Sequence, residues 1–287
     1  MITIRNLDFW YRRKEALFRD LNLELQQGHI YGLLGRNGAG KTTLLKILSG
    51  LSFPKSGEVG LDHWVPSKRD PFFLQEIFFL PEEIWFPNVR PEGLVRIYGS
   101  FYPEFDNKQF EDSLERFEVD RGISLGRLSF GQRKKALLAF ALACNTRYLF
   151  LDEPTNGLDI PSKAAFRSLL AAACSESRII ILSTHQVRDL QSLIDHVLIL
   201  SEHRILVNES LDMIASRLSF HHSSLPPDQP GILFTWKTEM GYSYILTNPD
   251  CELGTVDIET LFTASLQNQE LSAMLSKRVE QRQFQKH

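Results

Sequence analysis

Residues Gly35-Arg36-Asn37-Gly38-Ala39-Gly40-Lys41-Thr42 read GRNGAGKT, followed by Thr43. The octet fits the phosphate-cradling pattern G-x-x-x-x-G-K-[ST]. Its flanks carry the reading as much as the octet does. Ile30-Tyr31-Gly32-Leu33-Leu34 precede it as a strand-length apolar run, and Thr43-Leu44-Leu45-Lys46-Ile47-Leu48 follow with helical periodicity. Strand, glycine-rich loop, helix is the context in which the pattern has physical meaning. Glycines at 35, 38 and 40 let backbone N–H groups turn inward, and the helix beginning near Lys41 adds its unsatisfied N–H groups and the positive end of its dipole. Lys41 then supplies a point charge for the outer phosphates, and the Thr42 hydroxyl a ligand for Mg2+.

The rest of the chain sets bounds on that reading. With 287 residues there is room for one large α/β domain, or one domain and a small appendage. Hydrophobic residues make up 43% and charged residues 23%, an ordinary globular balance. A net charge of −3 argues against a wholesale nucleic-acid surface. No apolar stretch approaches the roughly 20 residues that span a bilayer. The N-terminus lacks an export-type apolar region, so a cytoplasmic chain is expected. Cys144, Cys174 and Cys251 lack metal-site spacing and read as small core or surface residues.

Outward from the loop, residues 1–9 predict a strand and Leu21-Asn22-Leu23-Glu24-Leu25 its hairpin partner, with Phe9-Trp10-Tyr11 between them. A ring there can stack on a base or simply cover a half-buried strand. Residues 56–62 predict a further antiparallel strand. Phe72, Phe73, Phe78, Phe79, Trp85 and Phe86 form an aromatic region around a strand at 77–81 that runs into a loop at Glu82-Glu83, some of it core and some suited to docking a partner helix. Residues 91–98 and 108–117 predict helices. Ser129 is placed to cap a helix through Ala143. Arg133, Lys134 and Lys135 on its first turns read as a solvated basic face. Tyr148-Leu149-Phe150-Leu151 predicts a buried strand that ends in Asp152 and Glu153, where parallel α/β sheets bind ligands. Residues 162–173 and 186–193 predict helices. Residues 179–185 predict a strand ending in His185, and 197–200 another. Beyond Arg217 the character changes. Residues 221–228 read as a polar linker with a solvated His221-His222 pair, 231–248 as a strand pair, 258–266 as a helix and 277–287 as a charged tail.

Five motifs stand in one order: GRNGAGKT at 35–42, LSFGQ at 128–132, YLFLDEP at 148–154, NGLD at 156–159 and STH at 183–185. This set resembles the ATP-binding subunit of ABC transporters over roughly the first 218 residues. The stretches at 101–106 and 256–262 are similar to the exporter branch that includes bacitracin-type ATPases. The resemblance implies a P-loop NTPase core with a mainly parallel sheet, an antiparallel β subdomain, a helical subdomain at about 88–147, and a small α+β appendage at 219–287.

For the site, it implies ATP and Mg2+ as ligands. ATP would be held by Tyr11 stacked on adenine and by Gly35, Asn37, Gly38, Ala39, Gly40, Lys41, Thr42 and Thr43. Thr42 and Asp152 would serve the metal, Glu153 would be the catalytic base and His185 the switch histidine. Ser129, Gly131 and Gln132 would grip the γ-phosphate bound by a second subunit, with Asp159 crossing to that subunit. The family's loop glutamine is replaced by Glu82, a carboxylate still able to ligate Mg2+. The implied partners are a second ATP-binding subunit and a separately encoded transmembrane permease. The implied location is the inner face of the membrane, and no nucleic acid is expected. A soluble ABC-type switch without a transporter is the rival reading, and it usually carries two such halves per chain.

Overall fold

In the computed structural model the residues described are 1–12, 15–83, 87–185, 193–249 and 254–276. The sheet that positions everything else has six strands in the order β5-β6-β7-β3-β8-β9: β3 (His29–Leu34), β5 (Ile77–Leu80), β6 (Tyr148–Asp152), β7 (Ile179–Thr184), β8 (His196–Ser201) and β9 (Arg204–Ser210). All neighbours are parallel except the hairpin β8–β9. β6 and β7 are buried along their whole length, which is why their apolar runs do not alternate. The register pairs Leu34 with Thr184 and Asp152 with Ser183. Three strands therefore end in one row, and the glycine-rich loop leaves from the middle of it.

A second, antiparallel sheet of β2 (Glu15–Leu25), β1 (Ile2–Arg12) and β4 (Ser56–Leu61) lies on one side. The hairpin is longer than its alternation suggests, pairing Ile2 with Leu25 at one end and Arg12 with Glu15 at the other. Its inward residues Ile4, Leu7, Phe9, Phe18 and Leu21 pack with α1 (Lys41–Leu48) and with one face of the large sheet. On the same face α2 (Pro71–Gln75) adds Phe73 to that cluster and leads into β5. On the opposite face α3 (Pro91–Tyr98), α4 (Asn107–Arg116) and α5 (Phe130–Ala143) form the helical layer, and α6 (Ile160–Ala173) packs with them against the sheet. α5 is buried all round from Lys134 to Ala143, as a helix apolar on every face must be. Much of the aromatic region is core. Phe73 is buried, and Phe78 packs its ring within 5.6 Å of Tyr102 and 6.0 Å of Phe140. Phe72, by contrast, is exposed. Trp85, Phe86, Cys251, residues 186–192 of the helix expected over 186–193 and the tail from 277 lie outside the described residues.

Two expectations are corrected. The polar linker over 221–228 begins too early, because β10 (Leu218–Ser223) runs through His221 and His222 and pairs with β12 (Gly241–Thr247). His221 stacks on Tyr244, and His222 Nδ1 lies 2.9 Å from Ser243 Oγ. Cross-strand partners overrode a histidine–serine composition that looked like a loop. The basic triplet is not a solvated face either, since Lys134 and Lys135 are buried.

After β9 come α7 (Leu211–Arg217), β10, β11 (Ile232–Thr238), β12, α8 (Ile258–Gln267) and α9 (Gln269–Ser276). The strands form a three-stranded sheet in the order β10-β12-β11, and α9 packs on β9. Apolar residues of this region, among them Leu218, Ile245, Ile258, Leu261, Leu271 and Leu275, join the same contiguous core as β6, β7 and α5. Among the described residues no helix is long and apolar enough to cross a membrane.

Candidate active site

The loop 35–40 runs from the end of β3 to the start of α1. Gly40 caps α1 with φ +109°, and a Cβ there would sit 2.7 Å from the Phe18 ring. A left-handed glycine with no side-chain cap leaves the first-turn N–H groups of α1 available to an anion. Lys41 Nζ lies over the loop and donates to Gly35 O at 2.8 Å. Burial holds its ammonium below the usual lysine range, against the attraction of Glu153, Asp152 and Glu82. Asn37 and Gly38 are exposed at the loop's tip, while Gly35 is buried beneath it.

Thr42 Oγ1 donates to Asp152 Oδ2 at 2.6 Å, and the other carboxylate oxygen accepts from Ser183 Oγ. The two candidate metal residues are thus in direct contact, and the donor set is all oxygen, as a hard Mg2+ ion requires. Glu153 follows Asp152 in a left-handed conformation, φ 47°, with only 5% of its surface exposed. Its carboxylate accepts from Thr184 Oγ1 at 3.0 Å and from His185 N at 3.0 Å, and His185 Nδ1 lies 2.7 Å from Oε1. The acid and the histidine expected to work together therefore touch. Glu82 joins them less directly. Its Oε1 accepts from Asn156 Nδ2 at 2.9 Å, and its charge reaches both Lys41 and Lys134.

Tyr11, near the end of β1, lies over the start of α1. Its ring is 65% exposed, and its hydroxyl is 3.0 Å from Thr43 Oγ1. An exposed ring tethered beside a phosphate loop has a face open for stacking.

The signature residues lie elsewhere. Ser129 caps α5, its Oγ accepting from Gln132 N at 3.2 Å. Gly131 passes so close to Gly157 that a Cβ would meet its carbonyl at 2.8 Å. Gln132 Oε1 is buried without a hydrogen-bond partner. Asp159 caps α6 by accepting from Ser162 N at 2.9 Å, and Lys135 Nζ approaches it to 3.8 Å. Bonds from Ser162 hold its carboxyl below the usual range. Among the described residues, no hydrogen bond joins Ser129, Gly131, Gln132 or Asp159 to the 35–43 loop of the same chain.

Sequence reasoning missed Lys134. It is 1% exposed, and its Nζ donates to the backbone oxygen of Glu153 at 2.5 Å. Burial lowers its pKa, opposed by Glu82, Glu153 and Asp152. Ser183 and Thr184 were also unassigned. Two hydroxyl residues at the end of the otherwise apolar run 179–182 were the available signal.

A parallel sheet with a glycine-rich loop at its centre, and an acid pair and histidine on the neighbouring strand ends, defines an ATPase of the P-loop class. The family model described as "ABC transporter" matches residues 18–156. The energy-coupling factor transporter ATP-binding protein EcfA1 of Thermotoga maritima is 33% identical over 82% of this chain and 89% of its own length. The bacitracin transport ATP-binding protein BcrA of Bacillus licheniformis is 32% identical over 69% of this chain and 66% of its own. A solved dimer of the ATP-binding cassette MJ0796 with ADP and Pi has the same fold, with a TM-score of 0.63 at 21% identity over 74% of this chain and 99% of that one. The chain belongs to the ATP-binding subunits of ABC transporters.

Proposed function

We propose that this subunit binds and hydrolyses ATP at the end of β3 as one half of a head-to-tail dimer, and so drives an exporter formed by a separate transmembrane permease on the inner face of the membrane. The observation that carries the reading is the contact chain Thr42–Asp152–Ser183 and Glu153–His185 at the mouth of the glycine loop.

The loop amides and Lys41 hold the phosphates, and Tyr11 stacks on adenine. Thr42 and Asp152, with Glu82 beside them, would hold Mg2+, whose charge would offset that of the phosphate oxygens. Glu153 orients water for in-line attack and takes its proton, and His185 steadies Glu153 and the terminal phosphoryl group. The signature residues serve the opposite chain's nucleotide. That accounts for the lack of hydrogen bonds, among the described residues, between them and their own loop. Export rather than import rests on the resemblance to the bacitracin-type branch at 101–106 and 256–262.

The test is the solution mass of a Glu153→Gln variant. The expected result is a dimer with Mg·ATP and a monomer with ADP, with Ser129→Asp in the same background abolishing the dimer. A variant that stays monomeric with Mg·ATP would overturn the shared-site reading. Pull-down of a polytopic membrane protein by the wild-type chain tests the permease, and vesicles containing that pair report the direction of transport.

A further inference from the structure

At the opposite end of the sheet from the nucleotide, three metal-ligating side chains meet. His29 opens β3, His196 opens β8, and Asp195 immediately precedes it. The strands are parallel, with Tyr31 opposite His196, so the two histidines come from neighbouring strand starts. One donor atom from each of His29, Asp195 and His196 lies within 4.8 Å of the other two. We propose that these three residues bind a divalent transition-metal ion of the zinc class, independently of nucleotide.

The donor chemistry selects the ion. Two imidazole nitrogens and one carboxylate suit Zn2+, Ni2+ or Cu2+ and disfavour Mg2+ and Ca2+, which take oxygen sets. Three protein ligands with a side open to solvent is a familiar zinc arrangement, and half of the Asp195 side chain is exposed.

The carboxylate is held in place from behind. Asp195 Oδ1 accepts from Ile30 N at 2.8 Å, and Asp195 N donates to Ile30 O at 3.1 Å. That leaves Oδ2 facing His29 Nδ1 at 2.7 Å. Ligands fixed by such backing bonds are a recurring feature of metal centres. An ion pair clasping two strand starts would explain His29 and Asp195 by itself. It does not explain His196. Its buried Nδ1 meets Asp195 Oδ1 only at 3.4 Å, short of good hydrogen-bond geometry. A buried ring nitrogen so weakly paired is costly, and a metal ion supplies a better partner. The rings of His29 and His196 are already gathered, with centroids 4.2 Å apart, against the buried ring of Tyr31. Bonds of about 2.0–2.1 Å bring tetrahedral donors to roughly 3.4 Å from one another. The partly exposed His29 ring, now 2.7 Å from Asp195 Oδ2, has the freedom to move to that spacing.

The test uses the full chain, stripped of metal and without nucleotide, titrated with Zn2+ against a chromogenic chelator. One equivalent should bind, Co2+ should give visible bands from the same site, and millimolar Mg2+ should not displace either ion. His29→Gln and His196→Gln should each weaken Zn2+ by at least about tenfold while circular dichroism shows an unchanged fold. His221→Gln with His222→Gln, on β10, should leave binding intact. The proposal fails if no zinc binds, if either His29→Gln or His196→Gln keeps full affinity, if Mg2+ competes, or if binding is lost only with His221 and His222. None of these outcomes bears on the ATPase assignment, which rests on the other end of the sheet.

Discussion

Glu153 is held in an unusual backbone conformation, and the hold has an identifiable source. A non-glycine residue at φ 47° costs of order 1–3 kcal/mol and persists only where surrounding contacts over-determine it. Here they include its own N–H to Ser183 O at 3.0 Å, its carboxylate to Thr184 and His185, and Lys134 Nζ on its carbonyl. Glu153→Gln keeps the shape and most of these bonds but removes the base, so turnover should fall roughly 10²- to 10⁴-fold with nucleotide affinity retained, read by steady-state ATPase assay and nucleotide titration. Lys134→Met keeps the buried stem but removes the shorter, charge-assisted bond to the Glu153 carbonyl, leaving it only the longer one from Asn156 N at 3.3 Å. It should cost about 1–3 kcal/mol in a denaturant melt and lower kcat with KM for ATP unchanged. A normal kcat would make the lysine a purely structural tether. Lys134 was not legible in the sequence because its acceptor is a main-chain oxygen, which leaves no mark in residue identities. Glu153 and His185 stand out in the sequence because the proposed chemistry needs those side chains.

Helix α5 shows how one element serves two ends at once. Its apolar residues all round set its burial, its N-terminus carries LSFGQ, and its second turn reaches the Glu153 backbone through Lys134. Ser129 is the cap, a role any of several residues fills, and only the shared-site proposal also requires it to be uncharged. Ser129→Ala should cost about 1 kcal/mol of stability through the lost cap. Ser129→Asp should leave the thermal midpoint nearly unchanged, because aspartate caps as well as serine, yet should abolish ATPase activity by setting a carboxylate against the partner's phosphate. If Ser129→Asp keeps wild-type turnover, the signature does not approach a phosphoryl group. The cap and the helix were readable from Ser129 and the run 136–143. The burial of Lys134 and Lys135 was not, because charge patterning assumes a solvated face and α5 has none past its first turn. β10 was misread for a related reason: its strand character comes from Tyr244 and Ser243 across the ladder, more than twenty residues further along the chain.

At the scale of the whole molecule, the parallel sheet and its loop were evident from apolar runs ending in glycines, acids and a histidine. How the chain beyond Arg217 relates to them was not, since composition marks a change of character without showing where the core continues. Among the described residues that region has a sheet of its own, but its buried apolar side chains belong to the main core. Val207 of β9 and Ile214 of α7 are fully buried in the cluster that holds Leu218, Ile258, Leu271 and Leu275, with α9 lying on β9. Each large apolar side chain withdrawn from water contributes about 1.5–3 kcal/mol, and a domain's net stability is only about 5–15 kcal/mol. Uncovering even Val207 and Ile214 is therefore a large fraction of the total, before β9 is left as a bare sheet edge. A chain ending at Arg217 should then melt at least several degrees below the full chain, or aggregate during purification, and ATP turnover should fall with it. Calorimetry separates this from the alternative. If the last seventy residues were an independent appendage, the full chain would show two transitions and the shortened chain would keep the upper one unchanged. A shared core requires a single transition in the full chain, one that the truncation moves downward.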